Sequence, residues 1–148
     1  MITIKFKKLD KNAIIPFKAN ELDAGFDLTA TRKVDLTDGN GNIVIGYGTG
    51  LCVEIPPHHV GLLFPRSSIC KTNMILTNSV GVIDSTYRGE IIAKFRLSSD
   101  VPGNTGEYQV GDRICQLVII PIPQIKFEEV EELASSTRGE KGFGSSGK

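Results

Sequence analysis

The 148-residue chain has no tryptophan, two histidines, three cysteines and no net charge, with 17 Lys plus Arg against 17 Asp plus Glu. Each scarcity excludes something. Cys52, Cys70 and Cys115 are odd in number, widely spaced and form no C-x-x-C pair. Neither a zinc site nor a disulfide framework is expected, and reduced, mostly buried thiols fit a cytoplasmic protein. His58 and His59 are adjacent, have no partner His at metal spacing and would face opposite ways on a strand, so they read as a surface turn. The balanced charge argues against nucleic acid or an anionic membrane as partner, since either would call for a basic excess. An anionic small molecule needs only a few local basic residues. No apolar run approaches the ~18 residues of a membrane span, and the charged stretch Met1 to Leu9 does not read as a signal peptide.

What is present is alternation. Ile2, Ile4 and Phe6 alternate with Thr3, Lys5 and Lys7. Leu51, Val53 and Ile55 alternate with Cys52 and Glu54. Ile91, Ala93, Phe95 and Leu97 carry one face while Lys94 and Arg96 lie on the other. Period two predicts half-buried strands. Arg113 to Ile122 is more continuously apolar and predicts a central strand. Asp38-Gly39-Asn40-Gly41-Asn42 predicts a hairpin turn, because Gly and Asn tolerate positive φ. No segment carries a convincing helical stripe. The best candidate, Phe127 to Ala134, is short and acidic, and its glutamates read as a solvated face. Many short strands with few helices imply a sandwich, barrel or jelly roll, and the length suits one domain able to bury roughly 70% of its unfolded surface.

From Ser135 the composition changes to Gly and Ser with one large apolar residue, Phe143. Such a segment cannot bury enough surface to offset its ordering entropy. The expected division is therefore 1–134 as a β domain and 135–148 as a flexible C-terminal arm. Gly142, Gly147 and Lys148 match the start of a Walker A loop. No strand feeds it and no helix follows, so that reading fails. On composition alone the arm is a disordered terminus. Yet Phe143 between Gly142 and Gly144 offers a freely placed ring, and Arg138, Ser145 and Ser146 offer a cation and hydroxyl donors suited to phosphate oxygens.

Five segments then appear in order: Ala24-Gly25-Phe26-Asp27-Leu28-Thr29-Ala30; Pro65-Arg66-Ser67-Ser68; Asn78 with Gly81-Val82-Ile83-Asp84-Ser85-Thr86-Tyr87-Arg88-Gly89-Glu90; Gly111-Asp112-Arg113-Ile114-Cys115-Gln116-Leu117; and Arg138-Gly139 with Gly142-Phe143-Gly144-Ser145-Ser146-Gly147. Any one is weak. Together, spanning nearly the whole chain, they resemble the five motifs of the homotrimeric dUTPase family. The resemblance implies an all-β, distorted jelly-roll or β-clip subunit, a homotrimer with active sites shared between chains, and Mg²⁺. It also implies hydrolysis of dUTP to dUMP and pyrophosphate, which limits uracil incorporation into DNA and supplies dUMP for dTMP synthesis. A dCTP deaminase of the same fold, or a nucleotide-dependent protein-binding regulator, is the alternative.

The same resemblance implies residue roles. Asp84 matches the general base for water attack on the α-phosphorus; read alone, it is equally a turn Asp capping its own backbone. Tyr87 matches the platform against deoxyribose, and Asn78 the reader of the uracil edge. Arg66, Ser67 and Gln116 match phosphate contacts, with Ser68 standing where Gly is commoner. Asp27 matches a residue that holds a water of hydrated Mg²⁺. Arg138, Phe143, Gly144, Ser145 and Ser146 match the closing arm, with Phe143 stacking on uracil. Asp112 and Arg113 read as structural partners. Phe26, Thr86 and Ser146 depart from the commonest residues without removing a required group.

Overall fold

The computed structural model describes residues 2–37, 39, 41, 43–98 and 106–142. Their strands are β1 (Lys5–Lys8), β2 (Phe26–Thr29), β3 (Arg32–Thr37), β4 (Ile43–Gly48), β5 (Leu51–Glu54), β6 (His59–Pro65), β7 (Met74–Leu76), β8 (Gly81–Ile83), β9 (Ile92–Leu97) and β10 (Arg113–Pro121). A single 3-10 turn, Ser67–Lys71, follows β6. One antiparallel sheet runs β2-β10-β6-β8, a second runs β3-β4-β9-β7, and β1 pairs β5 in a ribbon. Both sheets and β5 feed one core: Leu28, Leu63, Ile114 and Leu117 from the first meet Ile45, Tyr47, Leu76 and Phe95 from the second. This is one of the all-β architectures that alternation and closely spaced turns allow, and it agrees with the distorted jelly roll that the resemblance implies.

The alternation decides which side of each strand is buried. In β5 Leu51 and Val53 are buried and Glu54 is exposed; in β9 Ala93 and Phe95 are buried while Lys94 and Arg96 face out. β10 lies between β2 and β6, as its continuous apolar run requires of a strand covered by neighbours on both edges. The β3–β4 hairpin closes where the Gly- and Asn-rich stretch stands, with Thr37 opposite Ile43 and Gly41 at φ +82°; Asp38, Asn40 and Asn42 lie outside the described residues. At the centre, Tyr47, Phe95 and Tyr108 make three edge-on ring contacts with centroids 5.6–6.0 Å apart, and the Tyr47 hydroxyl donates to the Tyr108 carbonyl. Such pairs add about 0.5–1.5 kcal/mol each beyond area burial.

Three expectations change. The first strand begins at Lys5 rather than Ile2, and all of β1 is exposed, because it is the outer strand of a two-stranded ribbon whose other strand, β5, takes the core side. Phe127 to Ala134 forms no helix: four glutamates close together repel, and no apolar surface covers the segment, so nothing offsets the cost of nucleating so short a helix. Of the three cysteines only Cys115 is buried; Cys52 is intermediate and Cys70 is exposed. His58 stands exposed in a turn at φ +63°, and His59 begins β6. No described helix is long and apolar enough to cross a membrane.

Candidate active site

Strand register assembles one cluster. Gln116 of β10 stands opposite Asp27 of β2 and opposite Phe64 of β6, so the three share a sheet face. Arg66 follows two residues after Phe64 in extended conformation (φ −79°, ψ 155°), which keeps it on that face. Arg113 would fall on the other face but for a register shift between Arg113 and Cys115, where Ile114 is the extra residue. The bulge places Arg113 opposite Thr29, two residues from Asp27 and on its side. The side chains then meet. Arg66 Nε donates to Asp27 Oδ1 at 2.9 Å and Arg113 Nη1 to Asp27 Oδ2 at 3.0 Å. Arg66 Nη1 also donates to the Arg113 carbonyl. Asp27 is 13% exposed, so these charge-assisted bonds are partly desolvated. Two guanidinium groups against one carboxylate leave the cluster with an excess positive charge.

That charge faces a cleft of about 290 Å³ lined by Arg66, Ser67, Arg113, Gln116, Asp27 and the Asp23–Gly25 segment, whose Asp23 carboxylate, accepting from the Asn20 amide, adds a second negative charge to the wall. Gly25 is needed there: a Cβ on it would lie 2.6 Å from Gln116 Oε1 and displace the amide. Ser67, exposed at the start of the 3-10 turn, opens onto the cleft; Ser68 does not line it and lies beside the buried Tyr108 phenol. Burial raises that phenol above its ordinary value, with Ser68 pulling the other way. Among the described residues the Tyr108 hydroxyl meets no partner at hydrogen-bonding geometry. Cys115, behind the cluster, has its thiol pushed up to about 12 by burial and then by Asp27, so it is no nucleophile at neutral pH. Phe26 offers its ring face to the Lys18 ammonium at 4.6 Å.

Asn78, Asp84 and Tyr87 sit on a second feature, the chain around β8. Ser79 turns it at φ +59°. Gly81 lets β8 pack on Leu63, since a Cβ there would lie 3.0 Å from Leu63 Cβ and 3.4 Å from the Asn78 amide nitrogen. After β8 the Tyr87 amide donates to the Asp84 carbonyl at 3.0 Å, closing a turn that leaves the Asp84 carboxylate exposed. Among the described residues nothing hydrogen-bonds or pairs with that carboxylate. Tyr87 lies back over the turn, 45% exposed, and its hydroxyl donates to the Glu90 carbonyl at 3.1 Å. A Cβ on Gly89 would collide with the phenol.

Within one chain the two features do not converge. Asp84 leaves β8 past Ile83, which pairs with Gly61, whereas Arg66 leaves β6 past Pro65. Four residues separate Gly61 from Pro65, about 13 Å of strand, and the chain departs from these ends in opposite directions. Arg138 lies elsewhere again: it is exposed, and its Nε donates to the Lys141 carbonyl within the arm. Phe143, Gly144, Ser145 and Ser146 lie outside the described residues.

Two residues the sequence reading passed over take part. Arg113, read as structural, does pair with Asp27 and also lines the cleft; Asp112 stays in its turn, accepting from the Gln109 amide. Glu90 accepts from Arg32 through both carboxylate oxygens and from the Gly50 amide at 2.8 Å. Arg32 first, then the Gly50 amide, hold its carboxyl below the ordinary 4.5 against the opposing effect of burial. A depressed carboxyl stabilises the fold fully above its unfolded value, and that stability is lost as pH falls through the lower folded value. Thermal melts should therefore show Glu90→Gln less stable than the wild type at pH 7, with the gap narrowing below pH ~4. A gap independent of pH would contradict the assignment.

The donor set does not form a metal cage: among the described residues no group of three His, Cys, Asp or Glu could hold an ion. Each Asp27 oxygen takes one guanidinium and keeps a second lone pair, which suits a metal-bound water rather than a metal.

The site therefore defines an all-β protein with a cleft of cationic and neutral donors at one end of a sheet and an exposed carboxylate in the same turn as a half-exposed tyrosine near the other. A family model described as dUTPase matches residues 11–147. The deoxyuridine 5'-triphosphate nucleotidohydrolase of Corynebacterium glutamicum is 41% identical, covering 100% of this chain and 97% of its own. That of Clostridium acetobutylicum is 39% identical over 99% of this chain and 98% of its own. Among solved structures, the dUTPase of Staphylococcus bacteriophage 80alpha with dUpNHpp superposes with a TM-score of 0.80 at 32% identity, covering 99% of each chain. A mutant dUTPase from phage phi11 of S. aureus, solved for its coordination of a structural Mg(II) ion, gives 0.71 at 29% identity, covering 88% of this chain and 98% of its own. The chain belongs to the dUTPase family.

Proposed function

We propose that the protein hydrolyses dUTP to dUMP and pyrophosphate. The observation that carries the reading is the cleft in which Asp27 aligns Arg66 and Arg113 beside Gln116 and Ser67, a set of cationic and neutral donors on one face. Such a set receives the oxygens of a polyphosphate and stabilises charge as it shifts toward the leaving group. Water attacks the α-phosphorus and gives its proton to the Asp84 carboxylate. The bond from the α-phosphorus to the oxygen bridging to the β-phosphate breaks, and that oxygen leaves with pyrophosphate. Tyr87 packs on deoxyribose, leaving no room for a 2′-hydroxyl, and Asn78 pairs with the uracil edge. Ser68 acts through the Tyr108 side of the 3-10 turn.

One chain separates Asp84 from Arg66 by at least the length of four strand residues, and this supports a homotrimer whose sites draw Asp84 and the Asp27 cluster from different chains. The 135–148 arm is the flexible part that closes each site, with Arg138, Ser145 and Ser146 at phosphate, Phe143 on uracil, and Gly144 letting the backbone approach. Asp27, through a bound water, is the residue of this chain that would hold Mg²⁺, which when bound would supply charge neutralisation at the triphosphate. A cytoplasmic enzyme on a free nucleotide needs no membrane or nucleic-acid surface.

The test is pyrophosphate release from dUTP beside UTP, dTTP and dCTP. A site closed around sugar and base edge is expected to prefer dUTP over UTP by ~10² or more in kcat/KM. Similar rates on UTP or dTTP would replace this reading with a broad pyrophosphatase, and ammonia release from dCTP would replace it with a deaminase.

A further inference from the structure

The Asp84–Tyr87 turn ends on a residue held at both ends. The Glu90 carbonyl accepts the Tyr87 hydroxyl. The Glu90 carboxylate accepts both terminal nitrogens of Arg32, the second at 2.7 Å, and the Gly50 amide. The Glu90 side chain is 12% exposed and that of Arg32 45%, so the carboxylate end of the fork lies against the protein while the guanidinium reaches solvent. One glycine makes room for the fork, and two more shape the backbone beside it. A Cβ on Gly48 would lie 2.6 Å from Glu90 Oε1 and collide with the Arg32 guanidinium; Gly50 sits at φ +67°; and Gly89 clears the Tyr87 ring. On the far side, Ile91 is fixed by Thr49 and Leu51. The Glu90 carbonyl shares a peptide plane with the Ile91 amide, which donates to the Leu51 carbonyl, so its direction is held by that strand bond on one side and by the tethered side chain, next to the pivot at Gly89, on the other. The tether belongs to the other sheet: Arg32 opens β3 and Gly50 follows β4.

We propose that Glu90, clamped by Arg32 and the Gly50 amide, is a positioning residue that fixes the tilt of the Tyr87 ring and thereby sets discrimination against a 2′-hydroxyl. The inference rests on the reading of Tyr87 as the deoxyribose platform. A ring held by a single hydroxyl bond swings once the accepting carbonyl is released, and a swinging platform admits the bulkier sugar. Fork geometry matters, because Arg presents two parallel donors where Lys presents a point charge.

The test is the ratio of kcat/KM for dUTP to that for UTP in wild type, Glu90→Gln, Tyr87→Phe and the double variant, with melting temperature measured alongside. Glu90→Gln keeps shape and an acceptor for Gly50 but loses the charged fork. Its ratio is expected to fall about tenfold, mostly through faster UTP hydrolysis. Tyr87→Phe keeps the ring and removes the hydroxyl, and is expected to lower the ratio by a similar factor. The double variant should fall no further, since both changes cut one linkage. A role confined to stability would lower the melting temperature and leave the ratio alone, and that result, like multiplicative effects in the double variant, overturns the proposal. If Glu90→Gln does not fold, Arg32→Lys, which keeps the charge and loses the fork, takes its place with the same expected ratio. A wild type that does not favour dUTP would overturn the reading of Tyr87 itself; a selective wild type with an unaltered variant ratio overturns only the role of Glu90.

Discussion

Replacing Asp84 by asparagine is expected to lower kcat by roughly 10²–10⁴ while leaving KM and melting temperature near wild type. The structure separates the two jobs of residue 84. Its backbone carbonyl closes the turn by accepting from the Tyr87 amide, and asparagine preserves that bond. Its carboxylate is exposed and, among the described residues, unengaged, so it is at liberty to accept a proton from water. Asparagine has nearly the same shape and no useful basicity. A carboxylate serving to cap the turn would behave in the opposite way, with stability falling and turnover surviving. Steady-state kinetics on dUTP, with titration of a non-hydrolysable analogue to measure binding, distinguishes the two. Turnover within threefold of wild type would end the assignment of Asp84 as the base.

Truncation before Arg138 is expected to reduce kcat/KM about 10²-fold or more with fold and assembly unchanged. The described contacts between the strands and the chain that follows β10 stop well before the arm: the Ile122 amide donates to the His58 carbonyl, and the Gln124 amide nitrogen meets the His58 ring at 3.2 Å. Farther along, the described bonds are internal, from the Gly139 amide to Ser136 Oγ and from Arg138 Nε to the Lys141 carbonyl. Residues 121–142 are exposed throughout. Among the described residues, losing the chain from Arg138 on therefore removes no core contact. Fixing it over a nucleotide costs roughly 1–2 kcal/mol per residue, which only charged and stacking contacts to substrate would offset. The gain is exclusion of water and a triphosphate held in line for attack. Mixed trimers check whose site the arm covers. Asp84→Asn chains and truncated chains, each nearly inactive alone, should recover measurable activity when refolded together, because some mixed sites draw an intact base and an intact arm from different chains. A truncated protein as active as the full chain would leave the arm without a role. Phe143→Trp, in a chain with no other tryptophan, would follow closure by fluorescence.

Period-two alternation was enough to read β5 and β9 from the sequence, because which side of a strand is buried depends only on odd and even positions, and a continuous apolar run was enough to read the central β10. The five motifs likewise needed no coordinates, since their residue types and order carry the chemistry. Other features depend on contacts far apart in the chain. Arg113 reaches Asp27, 86 residues away, only because a bulge at Ile114 turns its side chain to the other face, and no local pattern marks where a strand will slip by one residue. Glu90 reads as one more charged residue until the second sheet brings Arg32, 58 residues distant, against it. The exposure of β1 and of Cys70, and the lack of a helix at Phe127 to Ala134, were also settled by what lies above each segment rather than by its own residues. The amino-acid order thus determined the strands, their buried faces and the inventory of reactive groups. Tertiary structure alone decided which groups meet, because pairing of oppositely charged side chains follows from sheet register and closure, and these are properties of the whole chain.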